Sequence, residues 1–217
     1  MAAYTLILGT KNWSSWSLRP YMAIRHTGAP FAEEVIRLRH DTSTEEVRKR
    51  TPAGRVPVLK IEENGQSYAA WDSLAICETL AERHPEAKLW PDDRRARAEA
   101  RSAAAEMHSS FPDLRDQLSM EFARKLPAPP LREATKEQIA RILALWTSAL
   151  ERADGGYLFG GFSIADCMYA PVVSRFLSYG IELPPPAKAY CERMMALPAM
   201  QDWGRAAKIE VDAGWCD

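Results

Sequence analysis

The sequence predicts two parts: an α/β domain over residues 1–85 and an all-helical domain over residues 94–217, joined by a linker at 86–93. Three observations carry this. Short apolar runs alternate with amphipathic ones in the first part, and a helical period of i, i+3, i+4 dominates the second. Between them lies "HPEAKLWPDD", bracketed by Pro85 and Pro91.

The elements follow in order. "YTLIL" has the length and apolar density of a buried strand. "LRPYMAIRHTG" reads as a helix with Pro20 in its first turn and Gly28 at its end. "EEVIRL" is strand-like, and "TSTEEVRKR" opens with a capping-box pattern, Ser43 with Glu46 or Thr42 with Glu45. "VPVLKIEENGQSYAAWD" holds two strand runs around "ENG", a hairpin signal. "DSLAICETLAERH" then places Leu74, Cys77, Leu80 and Ala81 on one helical face. The order βαβαββα allows a right-handed parallel βαβ unit ending in an antiparallel hairpin. In the second part, "TKEQIARILALWTSALERA" aligns Ile139, Ile142, Leu143, Trp146, Ala149 and Leu150. "SIADCMYAPVVSRFLSYG" aligns Ala165, Met168, Tyr169, Val172, Val173, Phe176 and Leu177, with Pro171 expected to kink the helix and Gly180 to end it.

The totals exclude several functions. A chain of 217 residues can bury a sizeable core, and 28 basic against 29 acidic residues give no reason to invoke nucleic acid or an anionic membrane as partner. No apolar run approaches the roughly 20 residues that span a bilayer, and the N-terminus lacks the pattern of a signal peptide. The four cysteines are scattered, without CxxC or metal-ligand spacing, which fits a reducing, cytoplasmic setting and no metal.

Four motifs carry possible chemistry. In "RVPVL", Pro57 precedes a strand that the topology makes internal, where a trans proline is awkward. A cis Val56–Pro57 bond would leave the Val56 backbone facing outward to pair with an extended peptide, whereas the plain alternative is a proline at the start of a strand. In "WDSLAI", Asp72 and Ser73 precede a helix. They are either simple N-caps or the site for the head of an α-amino acid, with Ser73 and backbone N–H groups on the carboxylate and Asp72 on the amine. In "KNWSSWSLRP", Ser14, Ser15 or Ser17 either caps a helix or donates a hydrogen bond to a bound thiolate, whose ionisation the helix N-terminus favours. In "FGGFSIADCMYAP", Ser163 and Asp166 read as a structural capping box.

Taken together these motifs resemble the cytosolic glutathione S-transferase family over nearly the whole chain. "SSWSLR" is similar to the serine motif of the zeta class and more loosely of the theta class, "RVPVL" to the cis-proline element, "DSLAI" to the γ-glutamyl-binding element, and "SIAD" to the capping box of a buried helix. The resemblance implies a thioredoxin-like N-terminal domain, an all-α C-terminal domain and a homodimer. It implies glutathione as co-substrate, with no other cofactor, and a small electrophile as second substrate. Ser14, ranked first on the zeta pattern, or Ser15, on the theta register, would support the thiolate. Val56 and Pro57 would hold the cysteinyl backbone, Asp72 and Ser73 the γ-glutamyl head, and Lys11 a carboxylate. Trp13, Trp16, Met107, Phe111 and Trp215 are either walls of the acceptor site or simply core and surface side chains.

The chain also departs from the family pattern. Trp16 stands where the zeta motif carries cysteine, Asp72 where related classes carry Gln or Glu, and Tyr4 lies at the wrong end of its strand for a tyrosine-type mechanism. No cysteine near the first helix could form an omega-like mixed disulfide. The expected activity is conjugation of glutathione to electrophiles. The rivals are glutathione-dependent isomerisation or peroxide reduction, and a non-catalytic binding protein on the same fold.

Overall fold

The structure, a computed structural model, describes residues 2–216. Strand β1 (Ala3–Gly9) is central. It pairs in parallel with β2 (Phe31–Ile36) and antiparallel with β3 (Val58–Glu63), and β3 pairs antiparallel with β4 (Gln66–Trp71), giving the order β2-β1-β3-β4. Alternation along β1 divides the core between the two faces of the sheet. Tyr4, Leu6 and Leu8 join Leu59 and Ile61 under α1 (Ser15–Thr27) and α3 (Ser73–Arg83), while Ile7 joins Val58, Ile36 and Val47 of α2 (Ser43–Arg50). The "ENG" turn has Asn64 and Gly65 at φ 52° and 75°, the paired left-handed geometry of a two-residue hairpin.

Two local expectations change. Helix α1 begins at Ser15, so Pro20 falls in its second turn rather than its first. The added turn is made by backbone alone: Ser17 and Leu18 both donate to the Ser14 carbonyl at 3.1 and 3.2 Å, a start that no side-chain pattern announces. The capping box ahead of α2 does not form either; the Thr42 hydroxyl instead meets His40 Nδ1 at 3.2 Å.

The remainder is helical: α4 (Arg94–Ser109), α5 (Pro112–Gln117), α6 (Glu133–Arg152), α7 (Ile164–Ser178), α8 (Pro185–Ala196) and α9 (Pro198–Asp212). Helix α7 is buried along nearly its whole length, runs through Pro171, and packs on both α1 and α4. Its end is a Schellman turn, with Gly180 at φ 63° and the Ile181 N–H on the Phe176 carbonyl at 2.9 Å. Trp146 of α6 meets Tyr169, Phe176 and Tyr190 at ring separations of 5.7, 5.5 and 4.9 Å.

The start of α7 is the capping box expected from "SIAD". Asp166 Oδ2 accepts from the Ser163 N–H at 2.9 Å and hydroxyl at 3.1 Å, and Oδ1 accepts from the Leu158 N–H at 3.2 Å and the Tyr190 hydroxyl at 3.0 Å. Burial pushes the Asp166 carboxyl from 3.8 up to about 6 against the pull of these donors. Asp166→Ala strands several buried donors and should cost about 3 kcal/mol in urea unfolding, with glutathione affinity little changed. A raised carboxyl pKa means that the folded chain holds the proton more tightly. Asp166 therefore contributes stability that is full below pH 3.8 and is lost as the pH rises through about 6. The variant should lack that decline; an equally stable variant that had lost activity would reverse the assignment.

Candidate functional site

Three turns enclose a cavity of about 430 Å³ lined by Trp16, Ala53, Arg55, Val56, Pro57, Trp71, Asp72 and Ser73. The N-terminus of α1, the segment leading into β3 and the β4–α3 junction supply these residues. The Val56–Pro57 peptide is cis, and among the described residues the Val56 backbone N–H and C=O make no hydrogen bond. Val56, Pro57, Asp72 and Ser73 are thus brought together.

Asp72 realises the cap and leaves something over. It sits at φ 74°, a left-handed conformation that is uncommon for a residue with a side chain. Oδ1 accepts from the Leu74 and Ala75 N–H groups at 2.9 and 3.3 Å. Oδ2 lies 3.3 Å from His108 Nε2 at the end of α4. Ser73 is buried, its hydroxyl 3.4 Å from Arg19 Nη1. Its own N–H is the first-turn donor that the Asp72 side chain does not take.

The serines divide. The Ser14 hydroxyl makes no helix cap; it donates to Ser17 Oγ at 2.7 Å, which also accepts the Gly9 N–H at 3.1 Å. Ser15, the first residue of α1, is buried, and its hydroxyl has no partner among the described residues. Trp16, next in the chain, forms the cavity wall here.

Other candidates lie elsewhere. Lys11 is ion-paired to Glu33 and lines a separate apolar pocket of about 230 Å³ with Val35, Ile209 and Trp215. The structure thus places Lys11 and Trp215 at this second pocket rather than at the cavity lined by Val56, Asp72 and Ser73. Met107 and Phe111 are core residues. Trp13 is tied to Glu121 at 2.8 Å, with Arg39 over its ring. Of the five proposed wall aromatics and sulfurs, Trp16 alone lines this cavity. All four cysteines are free and buried, and burial pushes the Cys77 thiol up, away from nucleophilic use.

Sequence reasoning missed His108. Its ring stands edge-on to Trp16 at 5.2 Å while Nε2 faces Asp72. Nothing in the local pattern of α4 marks it, because both partners are far away in sequence.

The chain matches two family models: "Glutathione S-transferase, N-terminal domain" over residues 13–83 and "Glutathione S-transferase, C-terminal domain" over 129–203. It belongs to the glutathione S-transferase family, with a thioredoxin-like N-terminal domain and a helical C-terminal domain. Among curated relatives, glutathione S-transferase omega-1 of Mus musculus is 32% identical over 124 residues, 57% of this chain and 49% of that protein. The "Probable maleylacetoacetate isomerase" of Caenorhabditis elegans is 25% identical over 172 residues, 79% of this chain and 78% of that one. The match spans about half the length of the mouse relative. Among solved structures, maleylacetoacetate isomerase of Anaeromyxobacter dehalogenans, with glutathione in its active site, superposes with TM-score 0.68 at 26% identity, covering 93% of this chain and 94% of that one. Glutathione transferase Omega 2S of Trametes versicolor, at TM-score 0.72 and 22% identity over 99% and 98% of the two chains, shares the fold.

Burial lowers the His108 pKa from 6.5; Asp72 opposes this, and the Arg19 and Arg115 cations add to it. An NMR titration should find His108 below 6.5, and lower still in Asp72→Asn, which removes the opposing charge. A rise in that variant would mean that the two side chains do not face each other in solution.

Proposed function

We propose that the protein is a glutathione transferase that conjugates the glutathione thiolate to small electrophiles, acting as a cytoplasmic homodimer. One observation carries the reading: the unpaired Val56 backbone, Asp72 and Ser73 line a single cavity beside the N-terminus of α1. Extended glutathione pairs its cysteinyl backbone with Val56 as an added strand. The γ-glutamyl carboxylate takes the Ser73 N–H and hydroxyl, and the amine takes Asp72 Oδ2. The thiol then lies toward α1, whose positive end and serine hydroxyl favour its ionised form. The thiolate attacks the electrophilic carbon, and the leaving group departs with its electron pair.

The free hydroxyl favours Ser15 as donor to the thiolate, because Ser14 would first have to release or reverse its bond to Ser17. Glutathione-dependent isomerisation is the second reading, favoured by the two maleylacetoacetate isomerases that the chain resembles. An omega-like mixed disulfide finds no support in four buried thiols.

Retention on immobilised glutathione followed by turnover of aryl halides, activated alkenes and peroxides tests the proposal. Retention without turnover would favour a binding protein, and cis–trans conversion without a stable adduct would favour the isomerase. Ser15→Ala should raise the pKa of bound glutathione, read from thiolate absorbance, and slow turnover near neutral pH, because the lost hydrogen bond served only the anion. Each pKa unit corresponds to about 1.4 kcal/mol. A larger shift in Ser14→Ala would restore the zeta-like order; no shift in either would leave both serines structural. Asp72→Ala should raise the glutathione KM roughly tenfold or more while costing about 1 kcal/mol of stability. An unchanged glutathione titration in the folded variant would end the assignment of the amine to Asp72.

A further inference from the structure

The Lys11–Asn12 peptide group, in the turn between β1 and α1, is gripped at both ends by one face of α9. The Trp203 indole Nε1–H donates to the Lys11 carbonyl at 2.9 Å, and Glu210 Oε2 accepts the Asn12 N–H at 3.0 Å. Trp203 and Glu210 lie about two helical turns apart, so both project from the same side of α9. The Lys11 N–H also reaches the Glu210 carboxylate. Asn12, Trp203 and Glu210 are all buried.

The next peptide group is held by the segment that follows α5. The Asn12 carbonyl accepts the Phe122 N–H at 3.1 Å. The Asn12 side chain donates to Glu121 Oε2 at 2.7 Å and accepts the Ala123 N–H at 2.9 Å. Trp13 Nε1 donates to Glu121 Oε1 at 2.8 Å. Both sets of partners belong to the helical domain, so that domain directs a loop that leaves the sheet. Only the Thr10 carbonyl ties the turn to itself, accepting the Trp13 and Ser14 N–H groups at 3.1 and 2.8 Å.

A peptide group is planar and turns as a unit. Pinning its C=O and its N–H together fixes the ψ of Lys11 and the φ of Asn12. Glu210 is the stronger of the two grips, because bonds to a carboxylate are roughly twice as strong as neutral ones. Burial pushes the Glu210 carboxyl up, and the two N–H groups and the Lys11 ammonium pull against it. Helix α9 is itself seated on α1, with the Trp203 ring 4.9 Å from that of Tyr21 and Asp202 2.6 Å from Arg25. It therefore holds α1 and the chain leading into it as one body. Ser15 follows three residues after Asn12. A hydrogen bond from its hydroxyl weakens steeply with distance and angle, so the course of this turn bears directly on the thiolate.

We propose that Glu210 is a positioning residue: from α9 it sets the entry of the main chain into α1, and thereby the place of the Ser15 hydroxyl. Glu210 lines the pocket shared with Lys11 and Trp215, not the cavity of Val56, Asp72 and Ser73, so it acts through the loop rather than on a ligand. The role rests on the transferase reading for its chemistry but not for the clamp.

The clamp is tested first without glutathione. By NMR-detected hydrogen exchange, the Asn12 amide and the Trp203 indole N–H should be at least about tenfold less protected in Glu210→Met than in the wild type. Amides of α7 serve as the reference for any global loss of stability. Protection that is unchanged relative to α7 would overturn the clamp.

The positioning role is then read with glutathione, well below the Tm of every variant. In Glu210→Met the thiolate absorbance of bound glutathione should titrate about one pH unit higher, with kcat near neutral pH about tenfold lower. The glutathione Kd should stay within about threefold, because Val56, Asp72 and Ser73 are untouched. The lost kcat should return above the shifted pKa. Glu210→Gln keeps a neutral acceptor of the same length and should restore most of both. Trp203→Phe deletes only the donor at the other end of the peptide group and should move the thiol pKa in the same direction, which keeps the test available if Glu210→Met does not fold. A thiol pKa that stays put in these variants would make Glu210 purely structural and overturn the role. A wild type that loses loop protection with Glu210 but does not ionise glutathione would support the clamp and reject the transferase reading.

Discussion

Helix α1 has to satisfy two packing partners at once, and the rest of the molecule is arranged around that demand. Leu18, Tyr21, Met22 and Ile24 are buried where α1 packs on α3 of the α/β domain and on α7 and α9 of the helical one. A helix held from several sides has little freedom to slide or rotate, because a buried interface is close-packed and a shift of one residue turns its apolar face away. The N-terminus of α1, with its serines and Trp16, is therefore fixed relative to the other cavity walls by contacts made one to three turns further along. The affinity of such a cavity depends on this rigidity, since a ligand that meets a preformed surface spends little on ordering it.

The second constraint is the buried α7. A helix buried on nearly every side has little solvent to satisfy its end, so its first turn is closed by its own sequence. Ser163 and Asp166 do this, and Asp166 is shared further with Leu158 and Tyr190. Because α7 packs on α1, its anchorage is also the anchorage of the helix that carries Trp16.

Much of this was readable in the chain, and what was not shares one cause. Strand alternation in β1, the positive-φ pair at Asn64–Gly65, the αL glycines at 28 and 180 and the capping box of α7 are local signals, each completed within a few residues. The meeting of Val56, Pro57, Asp72 and Ser73 was readable because motif order fixed it through the family resemblance. The pairing of Lys11 with Glu33 was not readable, because Glu33 comes from β2 and no pattern around Lys11 indicates it. His108 beside Asp72, and Arg115 of α5 meeting Trp16 of α1, depend on helix packing that no periodicity specifies. The start of α1 was set too late because its first turn is capped by a carbonyl, and every residue has one.

Asp72 also governs where this molecule has room to change. One of its oxygens holds the start of α3, the other faces His108, and its backbone occupies a conformation that few residues accept. A substitution there alters helix, cavity and inter-domain contact together, so natural variation at that position is penalised several times over. Ala53, Arg55 and Trp71 line the same cavity but are exposed, Trp71 by half. They carry no comparable set of obligations. Divergence in substrate preference among descendants of this chain is accordingly channelled to that outer rim, leaving the inner wall as the inherited part.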